Sequence, residues 1–345
     1  MDQCPGARAE IGGVEIHLPA YCLGNDELAG EYPDWSVEKI QEKTGIRDRW
    51  IAADGECASD LGVKAAEKLF ASGVCRAQDV DFLLFCTQSP DYFLPTTACV
   101  LQQRLGLPTD AGALDFNLGC SGFIYGLGLA KGLIETGQAE TVLLITAETY
   151  SKHIHPQDRS VRTLFSDGAA ATLVRRRSDG GGGLLSGPFI YGTDGRGAEN
   201  LIVPAGGMRA REAGPDGGDQ VDDAGNVRSR KNLFMNGPEI FSFTLRAVPK
   251  AVQALLEKSG RTVDDIDLFI FHQANQYMLE HLRKKLKIPA EKFVFCLERY
   301  GNTVSSTIPI ALREAIAEGR VKPGSTVMLV GFGVGYSWGA TLVQW

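Results

Sequence analysis

The sequence repeats itself, weakly, across its two halves. Val80-Asp81-Phe82-Leu83-Leu84-Phe85-Cys86 resembles Ile266-Asp267-Leu268-Phe269-Ile270-Phe271-His272. Each copy follows an amphipathic helical stretch closed by a glycine, residues 61–73 in one and 245–260 in the other. Each then runs into a second helical stretch ending in Arg104-Leu105-Gly106-Leu107-Pro108 or Lys285-Leu286-Lys287-Ile288-Pro289. A chain of 345 residues built this way is expected to fold as two copies of one α/β unit, residues 1–175 and 176–345. Strands are expected near residues 11–18, 82–87, 113–117, 142–146 and 169–174, and again near 187–191, 268–271, 293–296, 326–330 and 338–344.

The repeat pairs residues as well as elements. Cys120 and Asn302 lie 182 residues apart, as do Gly137 and Gly319, which close the helical runs that follow them. Cys120 and Asn302 therefore occupy equivalent corners. Cys86 and His272, which end the matching strands, are 186 apart, so the loops between differ by a few residues. When the halves of such a protein pack together, strand ends from both converge on one crevice, where α/β sheets place their ligands. Cysteine, histidine and asparagine are then expected to meet.

Cys120 sits in Gly119-Cys120-Ser121-Gly122, after the apolar run 113–118 and before the helix-like run 123–136. Read alone, this is more often a small cysteine buried under a helix. Read as a nucleophile, it has glycines that let substrate approach and the free amides of a helix start aimed at the sulfur. A free cysteine titrates near ~8.5, and a helix end supplies only ~1–2 kcal/mol, about one pKa unit. A second activating group is expected.

The net charge of −7 argues against a nucleic-acid partner, and the one basic run, Arg175-Arg176-Arg177, leads directly into Ser178-Asp179 and glycines. Eight cysteines, at 4, 22, 57, 75, 86, 99, 120 and 296, include no Cys-x-x-Cys pair, so neither a metal site nor a disulfide framework is expected. Residues 1–10 lack the apolar core of a signal peptide, and no apolar run approaches the ~20 residues of a membrane span; a cytoplasmic location is expected. The stretch 205–232 reads as a long surface loop and 180–183 as a linker. Gly331-Phe332-Gly333-Val334-Gly335-Tyr336-Ser337-Trp338-Gly339 is followed by β-like sequence rather than a helix, which disfavours a dinucleotide site. It reads either as a turn offering amides to an oxyanion or as a plain tight turn.

Together, Gly-Cys-Ser-Gly-Phe at Cys120, His-Gln-Ala-Asn at His272, Tyr-Gly-Asn-Thr at Asn302 and the terminal glycine-rich turn resemble the β-ketoacyl-acyl-carrier-protein synthase III family over nearly the whole chain. Thr44-Gly45-Ile46-Arg47, Asp158-Arg159, Phe165-Ser166-Asp167-Gly168-Ala169 and Lys322-Pro323-Gly324 extend the resemblance. It implies the thiolase fold, a five-layered αβαβα sandwich of duplicated halves, and a homodimer. It implies acylation of Cys120 by an acyl-CoA, then a decarboxylative Claisen condensation with malonyl-acyl-carrier protein that initiates fatty-acid synthesis, with no cofactor beyond these substrates. His272 Nε2 and the Asn302 amide are implied donors to the enolate, and the backbone amides of Cys120 and Val334 the oxyanion hole, Val334 replacing a common glycine.

The resemblance also assigns substrate contacts to Lys39, Lys43, Arg159, Leu94 and Met235. Lys39 stands where many members stack a tryptophan on the CoA adenine, so that surface is expected to be lost. Ser242 and Tyr277 stand where members carry basic residues, which weakens the expected attraction to an acidic carrier protein. Leu94, in Phe93-Leu94-Pro95, replaces the larger residue that reaches across the dimer into the acyl pocket, which is compatible with a longer or branched acyl group. A specialised-pathway relative that transfers an unusual acyl group without decarboxylation is the alternative; a non-catalytic partner subunit is disfavoured by the intact Cys120, His272 and Asn302. The hydroxymethylglutaryl-CoA synthase branch needs a carboxylate at the site, for which Glu148 is the nearest candidate, although a carboxylate at a strand end is ordinarily a structural acceptor.

Overall fold

The computed structural model describes residues 8–177, 182–215 and 217–345. Among the described residues, ten strands are joined by hydrogen bonds into two arrays that connect through β6: β1 (Ala9–His17), β2 (Phe82–Cys86), β3 (Gly112–Phe116), β4 (Thr141–Glu148), β5 (Gly168–Arg176), β6 (Gly183–Leu184), β7 (Phe189–Thr193), β8 (Leu268–Phe271), β9 (Thr326–Gly333) and β10 (Ser337–Gln344). The residues of β4, β8 and β9 are nearly all buried, which is why these strands read as continuous apolar runs instead of alternating ones.

The repeat is visible in the pairing. In the first half β3 and β4 flank β2 in parallel, β5 runs antiparallel to β4, and β1 antiparallel to β5. In the second, β8 is parallel to β9, β10 antiparallel to β9, and β7 antiparallel to β10. The two arrays meet at β6, where Leu184 pairs with both Glu10 and Gln344.

One expected strand is absent. Residues 293–296 make only an isolated bridge, Phe293 to Phe269, because a side chain substitutes for the rest of the ladder. Gln273 donates from Nε2 to the Val294 carbonyl at 3.2 Å and accepts the Cys296 N–H at 2.9 Å. Of the expected linker, Gly180 and Gly181 lie outside the described residues, as do Cys4 and residues 1–7, whereas Gly183 belongs to β6. The 205–232 loop contains a short hairpin whose Arg228 holds Asp158 at 2.7 Å and Asp222 at 2.8 Å.

Helices α1 (Ala58–Ala71) and α2 (Thr97–Arg104) pack on the first array, and α4 (Gly237–Ser259) packs on the second with α5 (Gln276–Lys285) against it. Between the arrays lie α3 (Gly122–Glu135) and α6 (Thr307–Ala317). Phe123, Ile124 and Leu127 of α3 and Ile308 and Leu312 of α6 share one buried cluster with Leu84, Leu144, Ile270 and Leu329 from both arrays. The result is five layers, with the two central helices starting next to the two corners that the repeat equates. Helix α4 begins at Gly237, well before residue 245, because Asn236 caps it by accepting the Glu239 N–H.

Helix α3 lies close to its strands because it lacks side chains where they approach. A Cβ at Gly122 would stand 2.3 Å from the Cys86 sulfur. Gly122→Ala should therefore lower the urea midpoint, by about 1–3 kcal/mol of overpacking, with an unchanged slope. Gly122→Ala combined with Cys86→Ala should recover most of that loss, and an unrecovered double variant would place the strain elsewhere.

Candidate active site

Cys120 lies between β3 and α3 and is 4% exposed. Two close approaches shape its turn: a Cβ at Gly333 would sit 2.8 Å from its sulfur, and one at Gly119 would sit 2.7 Å from Val334 Cγ1. Hydroxyls fasten the β9–β10 turn beside it, with Ser121 Oγ 2.7 Å from Ser337 Oγ and Ser337 Oγ donating to the Val334 carbonyl at 2.8 Å. Burial pushes the Cys120 thiol up to about 12, and the Glu148 carboxyl adds to the rise, while the backbone amides of Cys120 and Val334 favour the thiolate. At rest the sulfur is a thiol. As a nucleophile it would need a second activating group.

His272 follows β8 and is fixed by its N–H, which donates to the Val330 carbonyl at 2.8 Å. Its ring stands edge-on to Phe332 with centroids 5.4 Å apart, and Nδ1 lies 2.7 Å from Thr307 Oγ1. Burial lowers its pKa to about 3, so the imidazole is neutral.

Asn302 is held by the first half: its N–H donates to the Leu164 carbonyl and its carbonyl accepts the Ser166 N–H, both at 3.0 Å. Its Oδ1 accepts the Val304 N–H at 3.0 Å, which leaves the amide NH2 as the group free to donate. Val304 adopts φ 55°, a left-handed conformation costly for a β-branched residue.

Cys120, His272 and Asn302 line one cavity of about 80 Å³, with Phe165, Met235 and Phe332 in its wall. Val334 packs against the same cluster as Cys120. Lys39, Lys43, Arg159 and Leu94 do not line it. The three cations instead surround Trp35, with Lys39 Nζ, Lys43 Nζ and Arg159 Cζ at 5.6, 5.0 and 5.5 Å from its ring. None of the sequence motifs includes Trp35, although its spacing to Lys39 and Lys43 is that of one helical face. Leu94 is 86% exposed, beside Phe93 at 77%. Ser242 lies in an open groove with Arg246, Lys250 and Lys285, and Tyr277 stacks on Phe241 at 5.5 Å.

Glu148 ends β4 fully buried and outside the cavity lining. One oxygen accepts the Gln88 N–H at 2.9 Å and the other accepts Ser305 Oγ at 2.9 Å. Those contacts are a structural acceptor's, and they tie the loop after β2 to the turn after Asn302. Among the described residues no group of three or more histidines, cysteines or carboxylates is arranged to hold a metal, and no helix is long and apolar enough to cross a membrane.

Five layers built from a repeated strand pattern, with cysteine, histidine and asparagine meeting in one buried cavity, define a thiolase-fold condensing enzyme. The sequence pattern described as 3-Oxoacyl-[acyl-carrier-protein (ACP)] synthase III matches residues 114–195, and its C-terminal counterpart matches residues 256–345. The β-ketoacyl-[acyl-carrier-protein] synthase III of Caldanaerobacter subterraneus is 38% identical, covering 99% of both chains. A crystal structure of a 3-oxoacyl-(acyl-carrier-protein) synthase III is 55% identical with a TM-score of 0.95, covering 98% of this chain and 100% of the other. That of Pseudomonas aeruginosa PAO1 is 32% identical with a TM-score of 0.84, covering 98% of each. The chain belongs to the β-ketoacyl-acyl-carrier-protein synthase III family.

The buried carboxyls set a pH dependence of stability. Burial pushes Glu148 up to about 8 from an ordinary value of 4.5, and Asp167 up to about 6 from 3.8. Both bind a proton more tightly folded than unfolded, so stability is highest at low pH in this respect and falls as pH rises toward about 8. Glu148→Gln has no such proton to lose. Its denaturation midpoint should fall less than that of the wild type between about pH 5 and about pH 8, and parallel curves would contradict the assignment.

Proposed function

We propose that this protein condenses an acyl-CoA primer with malonyl-acyl-carrier protein, the step that initiates fatty-acid synthesis. The observation that carries this reading is the meeting of Cys120, His272 and Asn302 in one buried cavity. The Cys120 sulfur attacks the thioester carbonyl; the S–C bond forms, the bond to CoA breaks, and the acyl group remains on the enzyme. The amides of Cys120 and Val334 stabilise the oxyanion of this step. Malonyl-carrier protein then loses CO2, the enolate electron pair forms a C–C bond to the acyl carbon, and the Cys120 thiolate is released. Asn302 stabilises the enolate through its NH2, a donor of a kind worth roughly 3 kcal/mol. No resident cofactor enters this sequence.

Trp35 supplies the aromatic face that Lys39 lacks, and Lys39, Lys43 and Arg159 supply charge for the nucleotide end of CoA. Met235 contributes to the wall along which the acyl-bearing arm lies. The cationic groove of Arg246, Lys250 and Lys285 suits an acidic carrier protein despite Ser242 and Tyr277. A homodimer and a cytoplasmic location belong to the same reading. Support for the dimer comes from β3, an edge strand with Leu114 45% exposed, and from Tyr92, Phe93 and Leu94, all more than half exposed. The repeated strand order supports a division into residues 1–175 and 176–345.

Intact-protein mass spectrometry with a panel of acyl-CoAs, chased with malonyl-carrier protein, tests this function. A Cys120 adduct converted to β-ketoacyl product is expected; an adduct that survives the chase would indicate transfer without condensation. Cys120→Ala should form no adduct. Asn302→Ala should acylate normally while losing about 100-fold in decarboxylation, and equal loss in both half-reactions by a folded variant would contradict its role.

A further inference from the structure

Thr307 is the first residue of α6 and is 2% exposed. Its Oγ1 lies 3.0 Å from the Val304 carbonyl oxygen and 2.7 Å from His272 Nδ1. A hydroxyl has one hydrogen to place between these two neighbours. The carbonyl can only accept, so giving the hydrogen to Nδ1 would leave two oxygens 3.0 Å apart with lone pair against lone pair. Giving it to the carbonyl satisfies both contacts, provided Nδ1 carries the ring hydrogen and donates to Oγ1. A neutral imidazole has one N–H, so Nε2 is then bare.

From this geometry we infer that Thr307 is a positioning residue that holds His272 in the Nδ1–H tautomer, so that Nε2 can take the Cys120 proton as the acyl–sulfur bond forms. The inference rests on the proposed acylation of Cys120. It also revises the expectation that Nε2 simply donates. As the sulfur pair bonds to the acyl carbon, the thiol proton passes to Nε2, and the electron pair of the broken C–S bond leaves with CoA as a thiolate that solvent protonates. The imidazolium then donates at both nitrogens, Nδ1–H still to Thr307 and Nε2–H now to the enolate oxygen. The malonyl carboxylate supplies its counter-charge. When condensation releases the Cys120 thiolate, the proton returns from Nε2 and the resting thiol is restored. One hydroxyl serves the base form and the donor form without moving.

The same turn reaches Asn302. Val304 gives its N–H to Asn302 Oδ1 and its carbonyl to Thr307, so one residue orients both groups.

The test combines nitrogen NMR of the resting enzyme, labelled at histidine, with the rate of Cys120 acylation by acetyl-CoA. Wild type should show His272 protonated at Nδ1. Thr307→Val, which keeps the shape and removes the hydroxyl, should lose that preference and acylate roughly 10-fold to 100-fold more slowly. Its apparent KM should stay within about twofold, because no substrate contact is removed. Thr307→Ser should restore both tautomer and rate, which separates the hydroxyl's role from packing. An Nε2–H resting tautomer in wild type would overturn the inference, as would normal acylation by Thr307→Val or a Thr307→Ser variant as slow as Thr307→Val. If wild type has the Nδ1–H tautomer but no acyl-CoA ever labels Cys120, the proposed function and the base role fall, and the tautomer assignment alone stands.

Discussion

The backbone pairing of Leu164 and Ser166 with Asn302 is the contact on which the site depends. It carries no catalytic group, yet it locks the one turn that bears the second half's asparagine onto the first half. From that anchored point, Val304 fixes the Asn302 amide, Thr307 fixes the His272 ring, and Ser305 reaches Glu148. The left-handed Val304 is the local cost of bending the chain tightly enough to do all three. Such strain persists only where the surroundings determine it several times over, and here Asn302 and Thr307 hold Val304 directly while Leu164, Ser166 and Glu148 hold the turn around it.

Dryness shapes the chemistry as much as geometry does. Cys120, His272 and Asn302 are nearly inaccessible, and burial opposes charge on the two that titrate: the thiol resists ionisation and the imidazole resists protonation. In the proposed acylation the proton passes to Nε2 only as the acyl–sulfur bond forms, so no free thiolate has to exist in the dry cavity. Glu148 obeys the same rule, retaining its proton beyond the ordinary carboxylate range and so placing less negative charge near the sulfur.

Much of this was legible in the sequence because the repeat carried it. The strands at 82–86, 268–271 and 326–333 announce themselves as apolar runs, and the offset of 182 residues predicts that Cys120 and Asn302 lie at equivalent corners. What stayed hidden depends on side chains doing backbone work. Gln273 replaces a strand ladder that the apolar residues 293–296 suggest, and Asn236 starts α4 earlier than its amphipathic pattern does. Thr307 and Glu148 act through contacts with residues 35 and 157 positions away in the chain, and no local pattern marks either partner. Trp35 stays hidden for another reason: its spacing to Lys39 and Lys43 is that of one helical face, but the family's aromatic residue stands at the position that Lys39 occupies.

The two corners also bear on how such a site can arise. A single unit pairing with an identical copy about a twofold axis must present the same residue at both corners, cysteine facing cysteine or asparagine facing asparagine. Joining the copies in one chain removes that symmetry. Each corner then diverges alone, and a nucleophile on one side of the cleft can face a donor on the other, a combination closed to any ancestor that assembled only by self-association.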